Sequence, residues 1–300
     1  MSTRDGLWQH VADELAARRA CVVATVVCHG GSVPRRTGAK MLVYADGRTR
    51  DTVGGGIFEQ VVVRDALAAL RNRQSVTREY SFTPGDEVSA NRKFALEKIV
   101  QRTETQTFGA VCGGRVDVFL EVVVPPDKLL IVGGGHCGRA LAEAASLLGF
   151  SITIVDDRAE YARRDEYAFP GVEAVLQLSS DFADLPLPDE HTFVALVSKG
   201  YPTDEAALRH IIDAPAAYIG MIGSKRKRET VFANLRAGGI AEEKLARIHA
   251  PIGLDIGAET PQEIAVSILA QIVQVRAQRS TSAQRSTSAQ RGKAMSDVDE

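Results

Sequence analysis

The pattern of apolar and polar positions divides the chain into two α/β halves. In the first half, amphipathic helices are predicted over 4–19 and 57–71, and strands over 21–27, 41–44, 76–82 and 115–124. In the second half, short apolar runs alternate with helical segments. The predicted strands are 129–133, 151–155, 172–176, 192–197 and 217–222, and the predicted helices include 204–213, 225–237 and 261–278. This alternation predicts an α/β fold with a doubly wound parallel sheet in the second half.

Two segments lack the pattern of a packed core. Residues 85–107 are polar and irregular, with a short helix predicted near 94–100. Beyond residue 279 the hexapeptide STSAQR occurs twice in tandem, and such a polar repeat cannot offset its ordering entropy. With Pro125-Pro126 as the linker, we predict domains at 1–124 and 125–279 and a disordered repeat tail at 280–300.

Composition excludes several classes of function. A hydrophobic content of 45% and a formal net charge of −2 are typical of globular proteins with no overall attraction to nucleic acid or acidic membranes. No apolar run approaches the roughly 20 residues of a membrane helix, and the first residues lack the pattern of a signal peptide. The 4 cysteines, without a C-x-x-C motif, form neither a disulfide framework nor a zinc site. We therefore expect a cytoplasmic protein without nucleic-acid or membrane partners.

A glycine-rich turn opens the second half. Gly133, Gly135 and Gly138 form G-x-G-x-x-G between a predicted strand and a predicted helix, and Asp156 ends the next strand. This context is typical of a Rossmann-like dinucleotide fold, in which the turn approaches a phosphate and the acid accepts a ribose hydroxyl. The alternative is a Rossmann-like fold that binds no nucleotide. His136 lies within the turn, as a structural hydrogen bonder or a ligand contact.

A cysteine precedes the junction between the two halves. Cys112 is followed by Gly113 and Gly114, whose backbone amides could turn toward a ligand, and Arg115 would favour the thiolate. The alternative is a small buried hydrophobic residue.

The first half contains a second candidate anion site. Gly54-Gly55-Gly56 precedes the helix at 57–71 and could form an anion-binding nest. Glu59 lies in the first turn of that helix, where it serves either as a cap or as a catalytic group. Arg35 and Lys40 lie in and after a loop rich in glycine and proline.

Two loops of the second half also carry candidates. Ser224 precedes the basic run 225–228 at a helix start, which either holds a phosphate or is a solvated face. Asp255 lies in a glycine-containing loop before a helix that Thr260 could cap, with Glu263 at capping-box spacing.

Four groups of segments together resemble the XdhC/CoxI family of xanthine dehydrogenase accessory proteins. They are GGSVPRRTGAKM with VGGGIFE, VCGGRVDVFLE, LLIVGGGHCGRALA with IVDDR, and YIGMIGSKRKR with HAPIGLDIGAETPQEIAVSILAQIV. The resemblance covers nearly the whole chain except the tail. It implies a small N-terminal α/β domain followed by a Rossmann-like domain, commonly assembled as a homodimer.

The resemblance also implies a function. Such proteins are non-enzymatic chaperones that bind and protect the molybdenum cofactor, as molybdopterin or its cytosine dinucleotide form. They deliver the sulfurated cofactor to an apo molybdenum hydroxylase, with a cysteine desulfurase as a further partner. By match to the family's C-G-G motif, Cys112 would meet the molybdenum or its sulfur. The candidate cofactor-binding residues are Arg35, Lys40, Gly54, Gly55, Gly56, Glu59, Cys112, Gly113, Gly114, Gly133, Gly135, His136, Gly138, Asp156, Ser224 and Asp255.

The rival hypothesis is an NAD(P)-dependent oxidoreductase that shares the fold. It would need an acid–base group at the crevice, for which Lys199 is the obvious candidate. The chain also departs from the family in the length of the segment at 85–107 and in the tandem repeat of the tail.

Overall fold

The computed structural model describes residues 4–31, 36–84, 105–110, 114–179 and 181–296. Side chains are described for these residues except 4, 5, 31, 82–84, 105–110 and 280–296. The chain divides into two compact units, of which the first comprises Met1–Pro125 with Ala283–Glu300 and the second comprises Pro126–Ser282.

The first unit is built on an antiparallel sheet with one parallel edge. Its elements are α1 (Arg4–Ala16), β1 (Cys21–Gly31), β2 (Lys40–Tyr44), β3 (Thr49–Asp51), α2 (Gly56–Arg71), β4 (Val76–Pro84), β5 (Thr105–Ala110) and β6 (Gly114–Val123). The strand order is β3-β2-β1-β6-β4-β5, and only β4 and β5 run parallel.

The alternation of side chains along β1 explains the layers of the first unit. Val22, Ala24 and Val26 belong to the core that α2 covers, whereas Cys21 and Val23 belong to the smaller core that α1 covers. Both faces of β1 are therefore buried over residues 21–24, where every side chain is apolar.

The second unit is a doubly wound parallel sheet. Its strands are β7 (Lys128–Val132), β8 (Ser151–Asp156), β9 (Val172–Gln177), β10 (Thr192–Leu196), β11 (Tyr218–Met221) and β12 (Ile248–His249). Its helices are α3 (His136–Ser146), α4 (Tyr201–Ile211), α5 (Lys225–Ala237), α6 (Glu242–Leu245) and α7 (Pro261–Ser296), with 3₁₀ turns at Ala159–Tyr161 and Arg164–Tyr167.

The strand order in this sheet is that of a dinucleotide-binding fold. The order is β9-β8-β7-β10-β11-β12, and every pair is parallel. Helices α3 and α7 contribute to the core on one face of the sheet, and α4 and α5 to the core on the other. The predicted fold class is confirmed, and the order reverses direction between β7 and β10, where ligands bind in such sheets.

Several elements differ from the predictions. Helix α1 ends at Ala16, whereas the pattern predicted a helix to residue 19. Residues 105–107 were predicted to be irregular but begin β5, because β4 supplies a parallel partner that the local sequence does not reveal. The helix predicted near 94–100 lies outside the described residues.

The tandem repeat also has a conformation that its composition did not suggest. Disorder was expected from residue 280, whereas the backbone of α7 is helical through Ser296. Ala, Gln and Arg are good helix formers, and extending a helix costs much less than starting one. Arg279 donates to the carbonyl oxygens of Glu190 at 2.8 Å and Ala217 at 3.4 Å, and it is the last residue of α7 whose side chain is described.

Candidate functional site

The candidate site of the second unit lies at the carboxyl ends of β7 and β10. These strands are neighbours in the sheet, so the loops that follow them meet. A Cβ added to Gly133 would lie 2.8 Å from both the backbone N and the Cα of Ser198. Gly133 also has φ +110°, a conformation that favours glycine. The glycine turn is thus packed directly against the loop after β10.

The three glycines of the motif have different roles. A Cβ on Gly138 would lie 1.9 Å from the carbonyl oxygen of Gly133, so glycine is required there for helix α3 to approach the strand. Gly135 is the N-cap of α3, and a Cβ there would meet nothing within 4 Å. Gly133 and Gly138 are therefore required by packing, and Gly135 is the position that leaves room for a ligand at the helix N-terminus.

We expect Gly138→Ala to lower the free energy of unfolding by about 3 kcal/mol, because the added methyl group meets backbone and cannot be accommodated by a side-chain rotation. Urea denaturation measures the effect. Gly135→Ala is the matched control and should remain within about 1 kcal/mol of the parent, since its Cβ enters open space. A Gly138→Ala variant as stable as the parent would contradict the close approach.

Asp156 holds the glycine turn from the end of β8. Its Oδ2 accepts from the N–H of Gly134 at 2.7 Å and from Arg158 Nη2 at 3.0 Å. Its Oδ1 accepts from the N–H of Arg158 at 3.0 Å and from Arg158 Nε at 2.9 Å. The residue is 2% exposed. A carboxylate offers about four acceptor positions, so these contacts occupy the whole group.

The same bonds determine the ionisation of Asp156. Burial would raise its pKa, but the hydrogen bonds from Arg158 and from the backbone of Gly134 outweigh burial and hold the pKa below its ordinary value. The carboxylate is therefore charged at neutral pH, and its charge is compensated by Arg158.

We expect Asp156→Asn to lower the free energy of unfolding by about 2–3 kcal/mol at pH 7. Because the folded pKa lies below the unfolded value, the stabilisation is present above about pH 4 and disappears as the pH falls through the folded pKa. The difference from the parent should accordingly shrink below about pH 4 in denaturation curves. Asp165→Asn, which removes an exposed partner of Arg163, should change stability little. A difference between parent and Asp156→Asn that does not depend on pH would refute this account.

A buried tyrosine holds the other side of the turn. The hydroxyl of Tyr167 donates to the carbonyl oxygen of Gly134 and lies 3.2 Å from that of Tyr161. Burial, with the nearby charge of Asp156, raises the pKa of Tyr167 to about 12, so the hydroxyl remains a donor. Both backbone groups of Gly134 are thus bonded within the protein.

The residues after Gly135 divide between solvent and core. His136 is exposed at the start of α3, on the open side of the turn. Cys137 is half-buried against the core, and burial raises the pKa of its thiol. The prediction that Cys137 begins the helix and packs is consistent with this position.

A buried ion pair that the sequence analysis did not find lies beside the turn. Lys227 Nζ is 2.5 Å from Asp204 Oδ2, and Ser198 Oγ is 2.6 Å from Asp204 Oδ1. Asp204 is fully buried, and burial raises its pKa despite the two partners. The contact ties the first turn of α5 to the loop after β10. In the sequence analysis Lys227 belonged to the basic run 225–228, which was expected either to hold a phosphate or to be a solvated face. For Ser198 the only sequence signal is that it follows a predicted strand.

The remaining candidates of the second unit lie in loops. Ser224 is the N-cap of α5 and accepts from the N–H of Lys227 at 3.3 Å. Asp255 is exposed. The predicted capping box is present: Thr260 Oγ1 accepts from the N–H of Glu263 at 3.3 Å, and Glu263 Oε2 accepts from the N–H of Thr260 at 2.9 Å. Lys199 is exposed at the end of the β10 strand region.

In the first unit, the chain's own side chains occupy part of the glycine nest. The N–H of Gly55 donates to Glu59 Oε2 at 3.1 Å, and the N–H of Gly54 donates to Thr52 Oγ1 at 3.0 Å. The hydroxyl of Thr52 donates to Glu59 in turn. Glu59 therefore serves as the anion and cap of this turn. Gly55 and Gly56 have positive φ, and a Cβ on either would meet nothing within 4 Å.

The segments that carry the other candidates start from one end of the first sheet. Gly114, at the start of β6, pairs with Gly31 at the end of β1, and on its other side with Phe82 of β4. Cys112, Gly113 and Arg35 lie outside the described residues. Of the strands that flank these residues, β1 and β6 are neighbours in the sheet, whereas β5 is separated from β6 by β4.

Two basic residues of the first unit have partners of their own. Arg115 pairs with Glu79 at 2.8 Å and with Asp117 at 3.3 Å, so its charge is shared with two carboxylates. Lys40 Nζ donates to Thr25 Oγ1 at 2.8 Å and lies 5.6 Å from the centre of the Trp8 ring. The predicted effect of Arg115 on the thiol of Cys112 stays a prediction, because Cys112 lies outside the described residues.

Within the described part of the chain, no group of three His, Cys, Asp or Glu side chains is arranged to hold a metal ion. The described helices also include none that is long and apolar enough to cross a membrane.

The fold has two compact units, and the second has the strand order of a Rossmann-type fold. Residues 129–272 match the model of the XdhC Rossmann domain, and residues 14–81 match that of the XdhC and CoxI family. The chain belongs to the XdhC and CoxI family.

Three curated relatives share the similarity. The uncharacterized protein YqeB of Escherichia coli is 36% identical over 258 residues, which are 85% of this chain and 43% of YqeB. A probable xanthine dehydrogenase subunit of Bacillus subtilis is 27% identical over 71% of this chain and 64% of its own length. The molybdenum cofactor insertion chaperone PaoD of E. coli is 24% identical over 88% of this chain and 86% of PaoD. The chain thus spans less than two thirds of the first two relatives.

Among solved structures, a xanthine dehydrogenase from Bacillus halodurans is 20% identical, with a TM-score of 0.48 over 90% of this chain and 96% of that chain.

Proposed function

We propose that this protein binds and protects the molybdenum cofactor and delivers its sulfurated form to an apo molybdenum hydroxylase. The observation that carries the proposal is the open position at Gly135, at the N-terminus of α3 and at the switch point of the sheet. A phosphate-bearing ligand suits this position. Membership of the XdhC and CoxI family and the name of PaoD support the cofactor as that ligand.

The residues of the turn fit the phosphate of such a cofactor. Gly135 leaves the space that a side chain would fill, and His136 is exposed beside it. The unpaired N–H groups of a helix's first turn and the positive end of its dipole favour a phosphate. Asp156 and Tyr167 contribute by holding Gly134, and we assign them positioning roles rather than contact with the ligand.

We propose that the first unit binds the metal-containing part of the cofactor. Cys112, with Gly113 and Gly114, is the candidate contact, because a thiolate is a soft ligand suited to molybdenum or its sulfur. Arg35, Lys40 and the turn at Gly54-Gly55-Gly56 are further candidates at this unit. When bound, the cofactor supplies the oxygen-transfer centre of the client hydroxylase, while this chain only carries it.

The oxidoreductase alternative loses support at the end of β8. The acceptor positions of Asp156 are occupied by Gly134 and Arg158, so the carboxylate is not free for a ribose hydroxyl. Lys199 is exposed, whereas the alternative requires an acid–base group within the crevice.

The proposal includes partners that the function requires. They are an apo molybdenum hydroxylase as client, a cysteine desulfurase as the source of sulfur, and a second copy of this chain in a homodimer. A cytoplasmic location suits Cys21, Cys28 and Cys137, which are free thiols.

Absorbance spectra after incubation with the molybdenum cofactor and removal of unbound material test the proposal, with a parallel NADH titration. We expect retained cofactor absorbance and no saturable NADH binding. Saturable NADH binding without cofactor retention would overturn the proposal in favour of the oxidoreductase.

A further inference from the structure

Arg158 occupies the carboxylate of Asp156 at the end of β8 and lies near that of Asp157. We propose that Arg158 is a specificity-determining residue. It prevents the acid at the end of β8 from accepting hydrogen bonds from the hydroxyls of a ribose. The site then binds a ligand that ends in a phosphate monoester more tightly than a ligand that is extended by a nucleotide. This inference deepens the proposed function and rests on it for the identity of the cofactor.

The carboxylate of Asp156 is fully occupied within the protein. Arg158 contributes two guanidinium bonds and one backbone bond to Asp156, at 2.9, 3.0 and 3.0 Å. Its Nε also lies 3.8 Å from Asp157 Oδ1. The N–H of Gly134 takes the remaining acceptor position of Asp156. No acceptor position of Asp156 remains for a hydroxyl group.

The guanidinium is held in this position by an aromatic ring. Arg158 Cζ lies 4.1 Å from the centre of the Tyr161 ring, within the range of a cation–π interaction. The side chain of Arg158 is 35% exposed, whereas that of Asp156 is 1% exposed. Arg158 therefore lies on the solvent side of Asp156, where an approaching ligand would be.

The consequence for a ligand follows from the fold. In a dinucleotide-binding sheet the phosphate lies at the glycine turn, and the adjoining ribose donates its hydroxyls to an acid at the end of the second strand. Here that strand is β8, and its acid already accepts from Arg158. A ligand with a nucleoside ribose would therefore lack the hydrogen bond from its ribose hydroxyl to this acid. A phosphate monoester without a ribose does not need that bond.

Titration with ADP and with 2′-deoxy-ADP tests whether the protein forms a hydrogen bond with the ribose 2′-hydroxyl, because the two probes differ only in that group. We expect the parent protein to bind them with equal affinity within about twofold, or to bind neither. Arg158→Ala keeps the backbone donors of Gly134 and residue 158 but frees two acceptor positions of Asp156. This variant should prefer ADP by about tenfold.

Arg163→Ala is the matched control. Arg163 also donates through Nε and Nη2 to an aspartate two residues away, Asp165, and it is 54% exposed. It should leave the ratio of the two affinities at the parent value. Asp157→Asn is a second variant, which should not change the ratio in the parent background.

Two results would overturn the inference. One is a parent protein that prefers ADP by tenfold, above all if Asp157→Asn removes that preference. The other is a folded Arg158→Ala variant that shows no preference. If Arg158→Ala does not fold, the ratio in the parent decides alone: a preference for ADP overturns the inference, and its absence supports it. The proposed function is tested separately by cofactor retention, so either can fail without the other.

Discussion

Gly135→Asp should weaken cofactor binding by about a hundredfold without lowering the melting temperature. The backbone of Gly135 is extended, with φ −68° and ψ −166°, which aspartate adopts without strain. Aspartate is a preferred N-cap, so the substitution should stabilise α3 by a few tenths of a kcal/mol. The same carboxylate places a negative charge where the phosphate would lie, at a cost of several kcal/mol in a partly buried site. Equilibrium titration with the cofactor and thermal denaturation measure the two effects.

Gly135→Ser separates charge from size in this experiment. Serine is an equally good N-cap and is neutral, so it should retain stability and lose much less affinity than aspartate. If Gly135→Asp and Gly135→Ser bind the cofactor as tightly as the parent, the phosphate does not lie at this turn.

Cys112→Ser should nearly abolish activation of an apo molybdenum hydroxylase and weaken cofactor binding, with stability close to the parent. Serine nearly preserves the shape of cysteine but replaces a soft ligand with a hard one. The expectation rests on this softness and not on Arg115, which pairs with Glu79 and Asp117. Reconstitution of client activity with cofactor-loaded protein measures the effect.

Cys137→Ser and Cys28→Ser are the controls for that substitution. Cys137 is half-buried beside the glycine turn, and Cys28 is an exposed thiol on β1. Both variants should load and deliver cofactor nearly as the parent does. Normal delivery by Cys112→Ser would show that Cys112 is a packing residue.

The alternation of apolar runs and helical segments was sufficient to predict most of the parallel sheet. The strands β7 to β11 were predicted within two residues of their observed ends. For β7, β8, β10 and β11 the reason is that both faces are buried and the sequences are largely apolar, whereas the edge strand β9 is partly exposed. The short edge strand β12 was not predicted, since two residues carry no periodicity. The chain order of the strands is also not their order in space. β7 pairs with β10 across sixty residues, and only the fold rule for such sheets relates the two.

The roles of individual side chains were less predictable. Asp156 was expected to face a ligand, but it bonds the N–H of Gly134, twenty-two residues earlier. The pair formed by Asp204 and Lys227 joins the first turns of α4 and α5, and each residue alone resembles a solvated charge. For Glu59 the sequence allowed either a helix-capping role or a catalytic role. Its hydrogen bond from the N–H of Gly55 favours the capping role. These roles depend on distances between segments, which periodicity does not encode.

The bonds to both backbone groups of Gly134 have a consequence for how a carrier works. A turn that is already ordered loses little conformational entropy when a ligand arrives, so a few contacts are enough for selective capture. Fewer contacts also mean fewer interactions to break at release. Under the proposed function, a cofactor held by such a turn would pass to a client that surrounds it more completely, and the direction of transfer would follow from the difference in affinity between donor and recipient.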